Sequence, residues 1–469
     1  LTAILPAFPA ELDGKVVTPG DRRYALLRST YTAVAEPAAV LLPETTAEVA
    51  VALRFARERG LPLSVRSGGH GLSGRSSNDG GIVIDLSALN RVEVLDRGSH
   101  LVRVGAGARW GAVAEALAPF GLAISSGDHG NVGVGGLATG GGVGWLVRDY
   151  GLTVDHVRAV DVVLADGRVV RADAGHEPDL FWAARGAGAG IGIVVAFEIE
   201  AAEIRDVGYA QITVEADRKG SALLRWAEHL AAAPRALSSG VVLQSYGPSF
   251  VMSITAVVAH GDARRAAPAV EPLLSTGVRL LDQRSGLVPY ALLVPSAHQH
   301  PNVGQQPNIT TNGLLPTMTA EDAAAIMDVA AGPHPAVVQL RSVGGAVNDV
   351  PADATAYAHR HQNTLVIASV FPPQGPTDLD AAWRGLAGRV DGAYVGFESR
   401  PGPAAFARVY PGATGTRVAE VWRRYDPDGV FRPALLQDTG HPRSTAAADG
   451  SAGGRGPRVA RSRNEGEIS

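Results

Sequence analysis

The residues best placed to do chemistry lie in "SVRSGGHGLSG", positions 64–74. A strand-like Leu63-Ser64-Val65 runs into Arg66 and Ser67, then two glycines, then His70. Two adjacent positions without side chains let a backbone come close to something large. The imidazole that follows can reach it as a nucleophile or a hydrogen-bonding partner. A second cluster, "SSGDHGNVGVGGLATGGGVGWLVRDYG" (125–151), has glycine at 127, 130, 133, 135, 136, 140, 141, 142 and 144. Turns do not require that density. It suits a loop wrapped on a ligand, its N–H groups pointing inward, and a phosphate or pyrophosphate is the natural ligand.

Several other chemistries are weighed against the same residues. "GVGGLA" (133–138) fits the dinucleotide pattern G-x-G-x-x-A, and Asp155 follows about twenty residues on. The preceding "SSGDHGN" is not strand-like, which argues against a nicotinamide Rossmann unit. A nucleotide P-loop needs Gly-Lys-Ser/Thr, and neither Lys15 nor Lys219 has that context. The pairs His298/His300 and His359/His361 lie in polar segments where such histidines are usually solvated, so no metal is expected. A third cluster, "RGAGAGIG" (185–192), reads equally well as a packed helix-to-strand turn.

The elements that must position these clusters are mixed. Thr45 or Thr46 caps a helix over 45–60, with Val49, Leu53 and Ala56 on one face and Gly60 ending it. Strands are expected in 80–90 and 100–108, a helix over 109–121, and a hairpin over 159–173 turning at Asp166-Gly167. Residues 179–200 read as a short helix, a glycine loop and a long strand. From about 205 long strand-like runs alternate with helices such as "GSALLRWAEHLAAAP" and "EDAAAIMDVAAG", as in an antiparallel sheet covered by helices. A helix ending at Asp426-Pro427 closes the folded part, and 441–469 lack apolar periodicity and read as a disordered tail. The pattern is α+β rather than doubly wound.

Composition bounds the rest. The chain has 469 residues, 46% hydrophobic and 19% charged, enough for two or three domains. A net charge of −4 offers no basic footprint for nucleic acid. No cysteine is present, which excludes disulfides, Cys-ligated metals and thiol nucleophiles. No apolar run is long enough to span a membrane. "LTAILP" carries no basic leader, so the expectation is cytoplasmic; residue 1 is not Met, which leaves a removed leader open. A monomer or homodimer is expected.

Taken in order, "SVRSGGHGLSG", "GGIVIDLSALN", "VGVGGLATGGGVGWLVRDYGLTVDHV", "DLFWAARGAGAGIGIVV" and "RRYDPDGVF" resemble the FAD-linked oxidases of the vanillyl-alcohol oxidase and p-cresol methylhydroxylase (PCMH) superfamily. The likeness is to the berberine-bridge-enzyme-like branch that contains hydroxynicotine oxidase, and it runs from about residue 20 to 435. It implies a PCMH-type FAD-binding domain over 20–204, a substrate domain over 205–393, and a C-terminal segment, 394–435, returning to the first. It implies that Arg66, Ser67, Gly68, Gly69 and Gly71, with Gly127, Gly133, Gly135, Gly136, Gly141, Gly142 and Gly144, hold FAD, and that Ile193 and Val194 line the flavin edge. His70 matches the histidine bonded to the flavin 8α carbon. Many relatives add a second link through cysteine where this chain has His129, so a single link is implied. Val132 matches a position over the flavin where small residues accompany oxidases.

On the substrate side the resemblance implies hydride transfer from a C–H next to O or N, with dioxygen as acceptor. Tyr394 in "AYVGF" matches the branch's Tyr-x-Asn segment, with Gly396 in place of Asn. Tyr357, His129, Arg341, His359, Arg360 and His361 are the other polar candidates, the first two for catalysis. After "VFR" relatives continue with an Asn-rich strand, where this chain has Pro433-Ala434-Leu435. The substrate is expected to be a small alcohol, amine or aromatic natural product. A dehydrogenase with another acceptor, or a flavin-bearing binding protein, are the competing readings.

Overall fold

Four sheets carry the glycine clusters at their edges and ends. They come from a computed structural model that describes residues 7–246, 249–295, 306–400 and 402–431, with only the backbone at 245, 246 and 249. His298, His300, Pro433-Ala434-Leu435 and the 441–469 tail lie outside the described residues. The described residues belong to one compact unit.

The first sheet has the order Val16–Val17, Ala39–Leu41, Ile82–Asp85, Leu63–Arg66, and its last three strands run parallel. The helix Thr46–Glu58 makes the crossover. Thr45 caps it, its hydroxyl accepting the Glu48 N–H at 3.2 Å, and Val49, Leu53 and Ala56 are buried as the spacing predicts. The second sheet is antiparallel, in the order Val92–Asp96, Leu101–Gly105, Ile193–Glu200, Val157–Val163, Val169–Asp173. Its hairpin turns at Gly167, whose φ of +86° needs glycine. A two-stranded ribbon pairs Leu122–Ala123 with Ala202–Glu203.

Seven antiparallel strands between 206 and 370 form the largest sheet. The helices Ser221–Ala232, Ala320–Ala331 and Pro376–Ala387 bury their apolar stripes on one of its faces, around Ile212, Ile254, Leu340 and Val366. Its other face meets the second glycine cluster: Leu365, Ile367, Leu314, Tyr357 and Tyr394 pack against Val143, Val147, Leu152 and Val154. The helices Pro403–Val409 and Gly412–Tyr425 return to the first core, where Val409, Val418, Val421 and Trp422 are buried with residues of the first two hundred positions. This α+β arrangement is the one expected.

One stretch departs from expectation. Within 125–151, read as a ligand-wrapping loop, Val147–Tyr150 is a single helical turn and Val134–Gly140 a longer helix. Glycine is a poor helix former, yet here it lets the helix lie close to its supports. A Cβ on Gly135 would stand 3.1 Å from the Ala106 carbonyl, and one on Gly140 3.1 Å from Val395. Packing overrides propensity.

Candidate cofactor and substrate site

The first and second glycine clusters meet backbone to backbone. A Cβ on Gly68 would fall on the Gly133 amide, and one on Gly133 on the Gly68 amide. Ser67 joins them, its hydroxyl donating to the Ala106 carbonyl at 2.6 Å and accepting the Gly135 N–H at 3.2 Å. Beneath the first loop Arg66 is buried. Its Nε donates to Asp85 at 2.6 Å and its Nη1 to the Ser29 carbonyl at 3.2 Å.

Three observations test this floor for a phosphorylated cofactor. The Arg66 Nη2 is buried and has no partner among the described residues. The amides of Gly69, His70 and Gly71 have no protein acceptor among the described residues. A Cβ on Gly71 or Gly136 would meet nothing within 4 Å, so these two face open space. Unspent donors on a bare floor fit a pyrophosphate. The other glycines have different reasons. A Cβ on Gly127 would strike Leu137, one on Gly142 Thr153, and one on Gly144 the Ser126 carbonyl. Gly141, with φ of +143°, lies under the rings of Tyr394 and Tyr357. The third cluster is a packed turn: Gly186 donates to the Thr139 carbonyl at 3.1 Å, and its α-carbon faces the Tyr357 backbone. Ile193 and Val194 are buried at the start of their strand, just before a register shift.

His70 stands at the rim of this floor. Tyr31 stacks on it with centroids 4.7 Å apart, and His129 lies on another side at 5.4 Å. Burial, then the nearby His129 and Arg109, push its pKa down to about 4, so its imidazole is neutral. The 128–132 turn that carries His129 is held from several directions. Asp128 pairs with Arg341 at 2.7 Å, the Gly111 N–H donates to the Gly130 carbonyl, and the Trp110 N–H donates to the Val132 carbonyl. The Asn131 N–H donates to His129 Nδ1 at 3.3 Å. Val132 is half-buried.

Tyr394 and Tyr357 meet edge to face at 6.2 Å, both buried. The Tyr394 hydroxyl accepts the Gly142 N–H at 3.1 Å. Burial pushes its pKa up to about 12, and that of Tyr357 higher still, so both phenols stay protonated at neutral pH. A Cβ at 396 would stand 2.6 Å from the Tyr394 ring, which gives glycine there a packing reason. Two of the remaining polar candidates touch Tyr357: His359 meets its ring edge to face at 5.6 Å, and Arg360 lies over it at 5.1 Å while donating to the Tyr357 carbonyl at 3.1 Å. Arg360 grips Asp155 with two bonds of 2.9 and 2.7 Å in a buried pair, so Asp155 serves structure rather than a ribose. His359 is buried on the Val409 carbonyl at 3.0 Å, and His361 is exposed beside Asp391. Tyr31, Arg109 and Asn312, which hold His70's surroundings and Tyr394, carry no sequence signal of their own.

Comparison with known proteins agrees with this geometry. The FAD binding domain family matches residues 37–173. The (R)-6-hydroxynicotine oxidase of Paenarthrobacter nicotinovorans is 37% identical over 200 residues, which are 42% of this chain and 43% of that relative. The xylooligosaccharide oxidase of Thermothelomyces thermophilus is 28% identical over 442 residues, covering 84% of this chain and 86% of the relative. Among solved structures, 6-hydroxy-D-nicotine oxidase from Arthrobacter nicotinovorans superposes with a TM-score of 0.78 at 26% identity, over 91% of this chain and 98% of that one. The glucooligosaccharide oxidase from Acremonium strictum does so at 0.79 and 23%, over 90% and 96%. With two glycine loops converging on a bare floor and a neutral histidine at its rim, the chain carries a match to the FAD binding domain family over 37–173 and is similar to FAD-linked oxidoreductases that include 6-hydroxynicotine oxidase.

Proposed function

We propose that this oxidoreductase is an oxidase with a single FAD link, through His70, acting on a small amine, alcohol or aromatic natural product. The observation that carries the reading is the neutral, stacked His70 beside the unspent amides of residues 69–71. A neutral imidazole keeps a lone pair for bonding carbon, which an imidazolium lacks. The glucooligosaccharide oxidase holds a 6-S-cysteinyl, 8α-N1-histidyl FAD. This chain has no cysteine for the first of those bonds.

FAD, when bound, accepts a hydride from carbon and is reoxidised by dioxygen. Arg66 and the amides of 69–71 would hold its phosphates, with Gly68 and Gly133 giving a floor low enough to admit them. The Tyr394 phenol is a donor at neutral pH, Tyr357 supports its ring, and His129 stands beside His70. Such a donor suits an amine that binds with its lone pair free, since no proton need be removed first. Half-buried Val132 is small enough to leave dioxygen a path, which favours an oxidase over a dehydrogenase.

The test is to precipitate the purified protein in acid and map the flavin by peptide mass. Yellow colour kept on the His70 peptide is expected, and flavin in the supernatant would remove the covalent link. Oxygen uptake by the photoreduced protein then separates an oxidase from a dehydrogenase. A second reading is favoured by Tyr394, whose hydroxyl is already engaged by Gly142 and whose neighbour at 396 lacks a polar side chain. A flavin-bearing binding protein would shift its spectrum with ligands yet never bleach under anaerobic conditions.

A further inference from the structure

Asn312 is fully buried in the strand Ile309–Leu315, the outermost strand of the seven-stranded sheet. A buried side-chain amide must satisfy both of its ends. This one spends both on a single residue. Its Oδ1 accepts the Tyr394 N–H at 2.7 Å, and its Nδ2 donates to the Tyr394 carbonyl at 3.0 Å.

The 391–399 segment is fastened to the same strand on either side. The Asp391 N–H donates to the Leu314 carbonyl at 2.7 Å, and the Ser399 N–H to the Thr310 carbonyl at 3.1 Å. The Thr311 hydroxyl donates to the buried Glu398 at 2.8 Å, and Arg408 bonds the Asn312 carbonyl. Between these ties Asn312 acts as a side-chain rung, holding Tyr394 where a backbone partner would stand. The Tyr394 ring then leans over Gly396 and Gly141, and its hydroxyl meets the Gly142 N–H at 3.1 Å. The tyrosine is therefore anchored at its backbone to the sheet and at its oxygen to the second glycine cluster.

We propose that Asn312 is a positioning residue for the oxidation: it holds Tyr394 so that the phenol oxygen accepts the Gly142 amide and the phenol proton remains for the substrate. The inference rests on the reading of Tyr394 as a substrate-side donor. It makes the register of one amide, rather than the tyrosine alone, the determinant of where that proton points.

The test uses the flavin-loaded protein and two readouts. The first is hydrogen exchange at Gly142, followed by peptide mass. Y394F removes the acceptor and should speed exchange there about tenfold. N312D keeps the shape but sets a carboxylate against the Tyr394 carbonyl, and should speed it similarly, while T311V, which loosens the neighbouring tie alone, should not. Unchanged exchange in folded N312D overturns the proposal, as does equal acceleration in T311V. If N312D does not fold, N312S, too short to span both groups, is read in the same way. The second readout is the affinity for sulfite, which adds to oxidised flavin and bleaches its visible band. N312D and Y394F should each weaken it about fivefold, and the double variant should be no weaker than Y394F. Multiplied effects would show that Asn312 acts independently of Tyr394 and overturn the proposal. Sulfite affinity untouched by Y394F, with exchange accelerated in both variants, supports the clamp and overturns only the substrate-side role of Tyr394.

Discussion

His70 carries a pH signature that the flavin-free protein should reveal. In the folded state its pKa is about 4, against 6.5 for an unperturbed imidazole. The unfolded chain therefore takes up the proton first, and the stability this residue contributes is complete above about pH 6.5 and lost as pH falls toward 4. The loss should be on the order of 2 kcal/mol after allowing for partial exposure. Urea titrations of flavin-free protein at pH 7 and pH 4.5 should show it, and H70Q should flatten that component. At the same scale, G396N restores the branch's Tyr-x-Asn pattern but needs space that the Tyr394 ring occupies. It should cost about 1–3 kcal/mol by displacing the ring, with faster exchange at Gly142. Part of this was legible beforehand. Two bare positions before an imidazole announce a close backbone approach from types alone, and Gly68 does meet the Gly133 amide. The Tyr31 stack and the Asn312 rung were not legible, because their partners lie 39 and 82 residues away.

Elements tell a similar story with a different cause. The cap at Thr45, the hairpin at Gly167 and the stop at Asp426, which accepts the Val430 and Phe431 amides at 2.7 and 2.8 Å, follow from local chemistry and were readable. The helix Val134–Gly140 was not readable, since its composition argues for a loop and its reason is the close approach of Ala106 and Val395. The helix Gly412–Tyr425 was readable as a helix, but its destination was implied only by the resemblance. It lies on Pro178–Ala184, and the Trp422 indole donates to the Ala187 carbonyl at 2.8 Å. W422A should cost about 3–5 kcal/mol through the cavity and the unmatched carbonyl. Denaturant unfolding would measure it.

At the scale of the whole molecule, one buried ion pair ties distant parts of the chain together. Arg360 and Asp155 are 205 residues apart, with side chains 4% and 8% exposed, and they join the segment after the second glycine cluster to the one bearing Tyr357. R360M should cost about 3–5 kcal/mol because it strands a buried carboxylate, whereas R360M/D155L should recover most of that loss. Equilibrium unfolding of the two variants decides it, and an unrecovered double variant would mean the pair does more than neutralise itself. No sequence pattern announces such a pair. Asp155 drew notice only for its spacing from a dinucleotide-like motif, and the structure gives that spacing no cofactor meaning.

The return of Gly412–Tyr425 to the turn at 185–190 bears on how the protein is made. A ribosome delivers the glycine clusters well before the helix that packs on the third of them. Until residue 425 has emerged, the Ala187 carbonyl waits without its indole, and the Gly186 carbonyl without the Tyr410 hydroxyl. The newborn chain thus completes the packing of this turn only once the stretch up to residue 425 has emerged, more than two hundred residues after the turn itself was made.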